Sequence, residues 1–238
     1  MKTVLITGAN KGIGYETAKQ LAKLDYYVYI GSRDNTNGVE AVNKLRTLGI
    51  ENVENIEIDV TNINSITSAR QELERKIKKL DVLINNAGIA GEKPQNFSQC
   101  NIENLRKVYD TNFFGTVQTT QEFLELLKKS DEPRIVSISS GQASLSLHSE
   151  GQTKSGVYDI YSSSKAALNA FTIMLANEFK DTNFKINAIA PGYTSTDLNK
   201  FQGTQTVEQA AEIIVKYATI DNSGSTGKYF DKEGEIEW

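Results

Sequence analysis

The chain has 238 residues, 39% of them apolar and 24% charged, with a net charge of −4. These proportions exclude a disordered chain, and the acidic balance gives no electrostatic basis for binding nucleic acid or an anionic membrane. One cysteine, Cys100, and one histidine, His148, exclude an internal disulfide framework and argue against a zinc site. No apolar run approaches the roughly 20 residues of a membrane span. The first residues enter a strand pattern without a leader layout, so the expected location is the cytoplasm.

Short β-rich runs alternate with longer helical stretches. Residues 3–7 (TVLIT) read as a buried strand, followed by a glycine-rich turn and a helix that turns Ile13, Ala18, Leu21 and Ala22 inward. Residues 26–32 read as strand, 38–48 as helix, 53–58 as strand, 62–79 as a charged amphipathic helix and 81–85 as strand. One long helical region covers about 102–128, then a strand 134–139, a polar Ser- and Gly-rich loop 141–156 and a helix 158–179. A strand 185–190, a helix 207–217 and a short strand near 228–230 complete the chain. This alternation predicts a doubly wound α/β fold of Rossmann type: one parallel sheet with helices on both faces. No linker, composition break or repeat divides residues 1–238, so one domain is expected.

The first turn reads Gly8-Ala9-Asn10-Lys11-Gly12-Ile13-Gly14, between strand and helix. Gly8 suits a tight turn, Gly12 lets backbone approach a phosphate, and Gly14 lets the helix pack closely. The helix N-terminus would then offer N–H groups and its positive dipole end to a pyrophosphate. Such a fold usually carries, at the end of its second strand, an acid that holds the 2′-hydroxyl of NAD. Ser32 stands there instead, and Asp34 lies too far on. Arg33 and Lys11 are cations able to pair with a 2′-phosphate; their plain reading is solvated surface charge.

Tyr161 and Lys165 lie four apart on one predicted helix, near one side and at the edge of a stripe formed by Ala167, Phe171, Met174 and Leu175. A free phenol is a poor acid–base at neutral pH, and a neighbouring cation would lower its pKa. Ser140 ends the strand segment at 135–140, where a hydroxyl can donate to a carbonyl and orient it. Taken alone, the Tyr161–Lys165 pair has a plain reading as an exposed helix pair.

The spacing G-x-x-x-G-x-G, the segment Asn85-Asn86-Ala87-Gly88, the set Asn112, Ser140, Tyr161 and Lys165, and Pro191-Gly192 occur in order over nearly the whole chain. Together they resemble the short-chain dehydrogenase/reductase family in its compact single-domain branch. The resemblance implies reduction of an aldehyde or ketone, with NADP(H) as cofactor. Tyr161 would be the proton donor, Ser140 would polarise the carbonyl, and Lys165 would tune Tyr161 and hold the nicotinamide ribose. Asn112 would anchor a proton relay. In the family, Lys11 and Arg33 mark NADP preference, Asp59 and Val60 resemble the pair that meets the adenine, and Asn86 the residue beside its ribose. Asp59 also reads plainly as a helix N-cap and Asn86 as a turn residue. Pro191, Gly192, Thr194 and Thr196 resemble the segment beside the nicotinamide. Ser137 stands where many members carry Asn.

TGANKGIG at the start, and Gly227-Lys228-Tyr229-Phe230 with Ile236-Glu237-Trp238 at the end, resemble the family's carbonyl reductases; these, however, carry a longer insertion between the serine and the tyrosine. Tyr193, Leu145, Leu147 and Phe201 are candidates for an apolar substrate wall or for core, and the stretch to Thr206 for a lid. A hydroxysteroid or 3-oxoacyl reductase is the alternative enzyme; Lys154 and Lys200 are too few for an acyl-carrier dock. A non-catalytic NADP(H)-binding redox sensor is the alternative from another class. The expected partner is a small carbonyl or alcohol substrate, with no nucleic acid and no membrane. Monomer and homo-oligomer both stay open.

Overall fold

Val4 and Ile6 of the first strand, β1 (Thr3–Ile6), feed one core, and Leu5 feeds another; all three are wholly buried. Burial on both faces is what a parallel strand sandwiched between helices requires. The structure, a computed structural model, describes residues 1–153 and 157–238. Lys154, weighed above for a cationic dock, and the end of the loop expected at 141–156 lie outside the described residues.

After β1 come α1 (Gly12–Lys23), β2 (Tyr27–Ser32), α2 (Asn35–Thr47), β3 (Val53–Glu57), α3 (Ile63–Lys76) and β4 (Val82–Asn85). Next are α4 (Ile102–Tyr109), a π turn (Asp110–Phe114), α5 (Gly115–Leu127), β5 (Arg134–Ile138), a 3-10 turn (Gly141–Ala143) and α6 (Leu145–Ser149). The chain continues through α7 (Asp159–Glu178), β6 (Lys185–Ile189), a second 3-10 turn (Asp197–Asn199), α8 (Val207–Ala218) and β7 (Lys228–Phe230). The seven strands form one parallel sheet in the order β3-β2-β1-β4-β5-β6-β7. Winding reverses between β1 and β4, so the binding crevice opens at the carboxyl ends of those strands.

Helices α1, α2 and α8 cover one face, where Ala18, Leu21, Leu45 and Ile214 share one core with Val28, Ile30 and Val136. Helices α3, α5 and α7 cover the other, packing Ile66, Leu73, Phe123 and Leu175 on Leu83 and Ile135. Among the described residues no helix is long and apolar enough to cross a membrane.

Several boundaries differ from the sequence pattern for local reasons. α2 begins at Asn35, earlier than expected, because the Asp34 carboxylate accepts the Asn37 N–H at 2.9 Å and caps it. α3 stops at Lys76, since Ile77 turns extended. The region 102–128 is not one regular helix but bulges into the π turn. Its end, Gly115, lies against Val60, where a Cβ would come within 2.9 Å of the Val60 carbonyl oxygen. The polar run after Ser140 holds the 3-10 turn and α6, the latter capped by the Ser144 hydroxyl. On α7 the buried stripe is Ile160, Ser164, Leu168, Thr172 and Leu175; Met174, expected inside, is exposed.

Candidate active site

The glycine turn is built as its spacing implies. Gly8 and Gly12 have φ of +63° and +59°, and a Cβ at Gly14 would sit 2.5 Å from Asn86 Nδ2. The close approach is between the helix start and the residues that follow β1 and β4, the main chain of Gly8 and Ala9 and the side chain of Asn86. Asn86 Nδ2 donates to the carbonyls of Thr7 at 2.8 Å and Gly8 at 3.0 Å, while Ala87 N–H reaches Thr7 Oγ1 at 3.1 Å. Asn10, Lys11 and Ile13 complete the turn. No side chain caps α1 and no acid lies in its first turn, which leaves a positive helix end to an anion. The cradle fits a pyrophosphate.

At the far end of β2, Ser32 is buried and its hydroxyl donates to the Asp34 carbonyl at 2.7 Å. Asp34 caps α2, so its carboxylate is already engaged. Arg33 beside them is exposed. Lys11 is not free: it is ion-paired with Asp197 of the second 3-10 turn. Asp59 does not cap α3, a task done by Asn62; its carboxylate accepts the Thr61 N–H and hydroxyl at 2.9 and 2.7 Å. Val60 is buried against Gly115.

The four expected catalytic side chains come from three regions and converge at the ends of β4 and β5. Asn112 sits inside the π turn, wholly buried. Its Oδ1 accepts the Ile89 N–H at 2.8 Å, and its Nδ2 donates to the Ile89 carbonyl and to Ser164 Oγ, both at 3.0 Å. Lys165 is buried and donates to the Ile138 carbonyl at 2.6 Å. A Cβ on Gly88 would lie 3.3 Å from both Asn112 Oδ1 and Lys165 Nζ, so Gly88 keeps a narrow space open between them. Lys165 Nζ lies 5.8 Å from the centre of the Tyr161 ring, and the Ser140 hydroxyl is close enough to the Tyr161 hydroxyl to act on its pKa. Ser140 Oγ accepts the Gln142 N–H at 3.3 Å, which leaves its proton to donate.

One electrostatic expectation is reversed. Burial pushes the Tyr161 phenol up to about 12, against the opposing pull of the Ser140 hydroxyl. Lys165 does not bring it down, because burial lowers Lys165 itself to about 8 and its nitrogen is turned to the Ile138 carbonyl. At neutral pH the pair is therefore a protonated phenol above a buried ammonium.

The segment after Pro191-Gly192 folds on itself. Asn199 Nδ2 donates to the Thr194 carbonyl at 2.8 Å, and Gln205 Nε2 donates to Thr194 Oγ1 at 2.8 Å and to the Pro191 carbonyl. Gly192 has φ of +89°, and the Thr196 methyl lies 3.7 Å from where a Gly12 Cβ would stand. Lys200 and Phe201 both have left-handed φ, 56° and 58°, a conformation that costs a bulky residue about 1–3 kcal/mol. Tyr193, Leu145, Leu198 and Phe201 are exposed rather than core, and Leu147 is half-buried.

Sequence reasoning missed Gln95, Gln205 and Asp197. Gln95 is buried and accepts the Tyr161 N–H at 3.2 Å, holding the start of α7. Gln95 and Gln205 belong to no motif, and Asp197 ends the segment from Pro191 without any local sign that it would pair with Lys11. His148 bridges the Gln142 carbonyl and the Thr153 hydroxyl at 2.9 and 2.6 Å. Among the described residues no three His, Cys, Asp or Glu are grouped to hold a metal.

The family model for short chain dehydrogenases matches residues 2–206. The chain belongs to the short-chain dehydrogenase family. Among curated members, it is 30% identical to (+)-neomenthol dehydrogenase of Capsicum annuum, over 95% of this chain and 94% of that one. The solved structure of salutaridine reductase from Papaver somniferum superposes with a TM-score of 0.85 at 29% identity, covering 97% of this chain and 99% of that one. NADPH-bound carbonyl reductase from chicken fatty liver superposes with a TM-score of 0.86 at 27% identity, covering 100% and 99%. These short-chain dehydrogenases are oxidoreductases, and the site described here lies on the fold they share.

Proposed function

We propose that this chain is an NADPH-dependent reductase of a hydrophobic aldehyde or ketone. The observation that carries the reading is the junction of Ser140 and Tyr161 over the buried Lys165, with Asn112 and Gly88 closing the far side.

NADPH, when bound, supplies the hydride that reduces the carbonyl carbon. The glycine turn Gly8, Asn10, Gly12, Ile13 and Gly14 would hold its pyrophosphate at the α1 terminus. Asn86, Ala87 and Gly88 would line the side toward β4. Arg33 would pair with the 2′-phosphate, as would Lys11 on exchanging its partner Asp197. Asp59 and Val60 would border the adenine, and Pro191, Gly192, Thr194 and Thr196 the nicotinamide. The capping role of Asp34 and the burial of Ser32 leave no acid at the end of β2 to favour a bare 2′-hydroxyl, which supports NADP(H) over NAD(H).

On the substrate side, the Ser140 hydroxyl would donate a hydrogen bond to the carbonyl oxygen, keeping its own proton, and align that oxygen with Tyr161. Tyr161, protonated at neutral pH, gives its proton to that oxygen as the alcohol forms. Lys165, anchored on the Ile138 carbonyl, would hold the nicotinamide ribose with its charge. Asn112 holds Ile89 and Ser164 so that the space beside Lys165 stays open. Exposed Tyr193, Leu145, Leu198 and Phe201 favour an apolar substrate, in keeping with relatives named for neomenthol and salutaridine.

The test is NADPH oxidation with a panel of cyclic and aromatic ketones, aldehydes and quinones, with NADH as control. Turnover with NADPH that is lost in Tyr161→Phe supports the reading. Tight NADPH binding without turnover across the panel would favour a redox sensor instead.

A further inference from the structure

Behind the catalytic end lies an enclosed aromatic residue to which the reductase reading gives no role. Tyr229, central in β7, has no exposed surface, and its hydroxyl donates to the main-chain carbonyl of Ser140. Its ring lies among Ala143, Ala188 and Ala190, whose small side chains leave room for it, and the Trp238 ring stacks on it with centroids 5.5 Å apart. The residues after β7 fold back along it. Ile236 N–H donates to the Tyr229 carbonyl at 2.8 Å, and the Trp238 main-chain oxygen accepts the Ser146 N–H at 2.9 Å and the Ser146 hydroxyl at 2.8 Å. One strand and its tail thus grip both ends of the segment from Ser140 to Ser146.

Ser140 needs such a grip. β5 ends at Ile138, and the Ser139 N–H makes a last bond to the Ile189 carbonyl at 2.7 Å. Past that point the Ser140 carbonyl is held by the Ala143 N–H at 2.8 Å, a bond within the 3-10 turn that would move with it. Only the Tyr229 hydroxyl ties that carbonyl to the sheet, among the described residues.

We propose that Tyr229 is a positioning residue: its hydrogen bond to the Ser140 carbonyl, backed by Trp238, sets the Ser140 hydroxyl against Tyr161 and the substrate oxygen. The inference rests on the reductase reading. Burial holds the Tyr229 phenol far above its ordinary pKa, so it remains a donor at any working pH. A phenylalanine would fill the same space and make no such bond.

The test is a double-mutant cycle of Tyr229→Phe with Ser140→Ala, read as kcat and KM. Tyr229→Phe alone is expected to lower kcat about tenfold, the loss set by one misplaced hydrogen bond, and to leave the KM for NADPH unchanged. In the Ser140→Ala background it should cost less than about twofold, because the group it positions is already gone. An equal loss in both backgrounds, or no loss in the first, would overturn the proposal. If Tyr229→Phe does not fold, Trp238→Ala takes its place in the cycle with the same non-additivity expected. A wild-type chain that reduces no carbonyl would sink the reductase reading instead. Amide exchange then decides the positioning claim: Tyr229→Phe should speed exchange over residues 140–146 and leave β1 and β4 unchanged, and unchanged exchange there would overturn it.

Discussion

The proposed catalytic group and the exposed apolar residues of the segments after β5 and β6 are built on opposite principles. Asn112 and Lys165 are buried, every polar atom described on them has a partner, and Tyr161 and Ser140 meet each other. Leu145, Tyr193, Leu198 and Phe201, by contrast, present large apolar side chains to open space, and Phe201 does so from a left-handed backbone. The inner region is fixed before any ligand arrives, as preorganised chemistry requires. The outer region has apolar surface still to bury, as substrate selection requires.

That contrast can be broken in order of expected effect. Tyr161→Phe should lower turnover about a thousandfold, the scale of a lost general acid, while NADPH still binds by fluorescence titration. A fall of less than about tenfold would remove the tyrosine from the chemistry. Ser140→Ala should lower kcat about a hundredfold, the scale of one lost donor to a developing oxyanion. Arg33→Ala should raise the KM for NADPH about tenfold and leave that for NADH nearly unchanged, since its charge would meet only the 2′-phosphate.

The pH profile sharpens the inner side of the comparison. Reduction needs a protonated Tyr161, and burial keeps it so up to about 12. Lys165 loses its proton first: its ammonium is present below about 8 and gone above it. The kcat/KM for NADPH should therefore be level up to about pH 8 and fall by about tenfold per pH unit beyond. A profile level to pH 10 would show that the Lys165 charge is not required. The smallest effect belongs to the outer side. Phe201→Ala should change the KM for a bulky ketone about threefold while kcat stays within twofold or so, the scale of partial apolar contact.

The same contrast explains what could be read from the residues alone. Tyr161 and Lys165 must be one helical turn apart, and Gly8, Gly12 and Gly14 must fall where backbone turns or closes, so chemistry leaves a spacing in the chain. The sheet was equally legible, because continuous apolar runs such as residues 82–84 have few other uses. The π turn was hidden, since the weak helix formers Asp110–Phe114 sit inside a longer helical pattern and the approach of Gly115 to Val60 comes from across the fold. α6 was hidden by its serines, which suit caps and loops alike. Leu145 and Phe201 could not be sorted from core, because an apolar side chain looks the same facing a substrate or a sheet. The lowering expected of Tyr161 from a nearby cation failed for a related reason: charge is visible in sequence, and desolvation is not.

The central claim is that the fixed inner group reduces carbonyls. It is tested most directly by supplying NADPH deuterated at its hydride-donating carbon together with a panel of apolar ketones, and reading the alcohols by mass spectrometry. Deuterium on the carbinol carbon with the wild-type chain, and none with a Tyr161→Phe variant that still binds NADPH, is the predicted result. Unlabelled, unreduced ketone from a wild-type chain saturated with NADPH would contradict it.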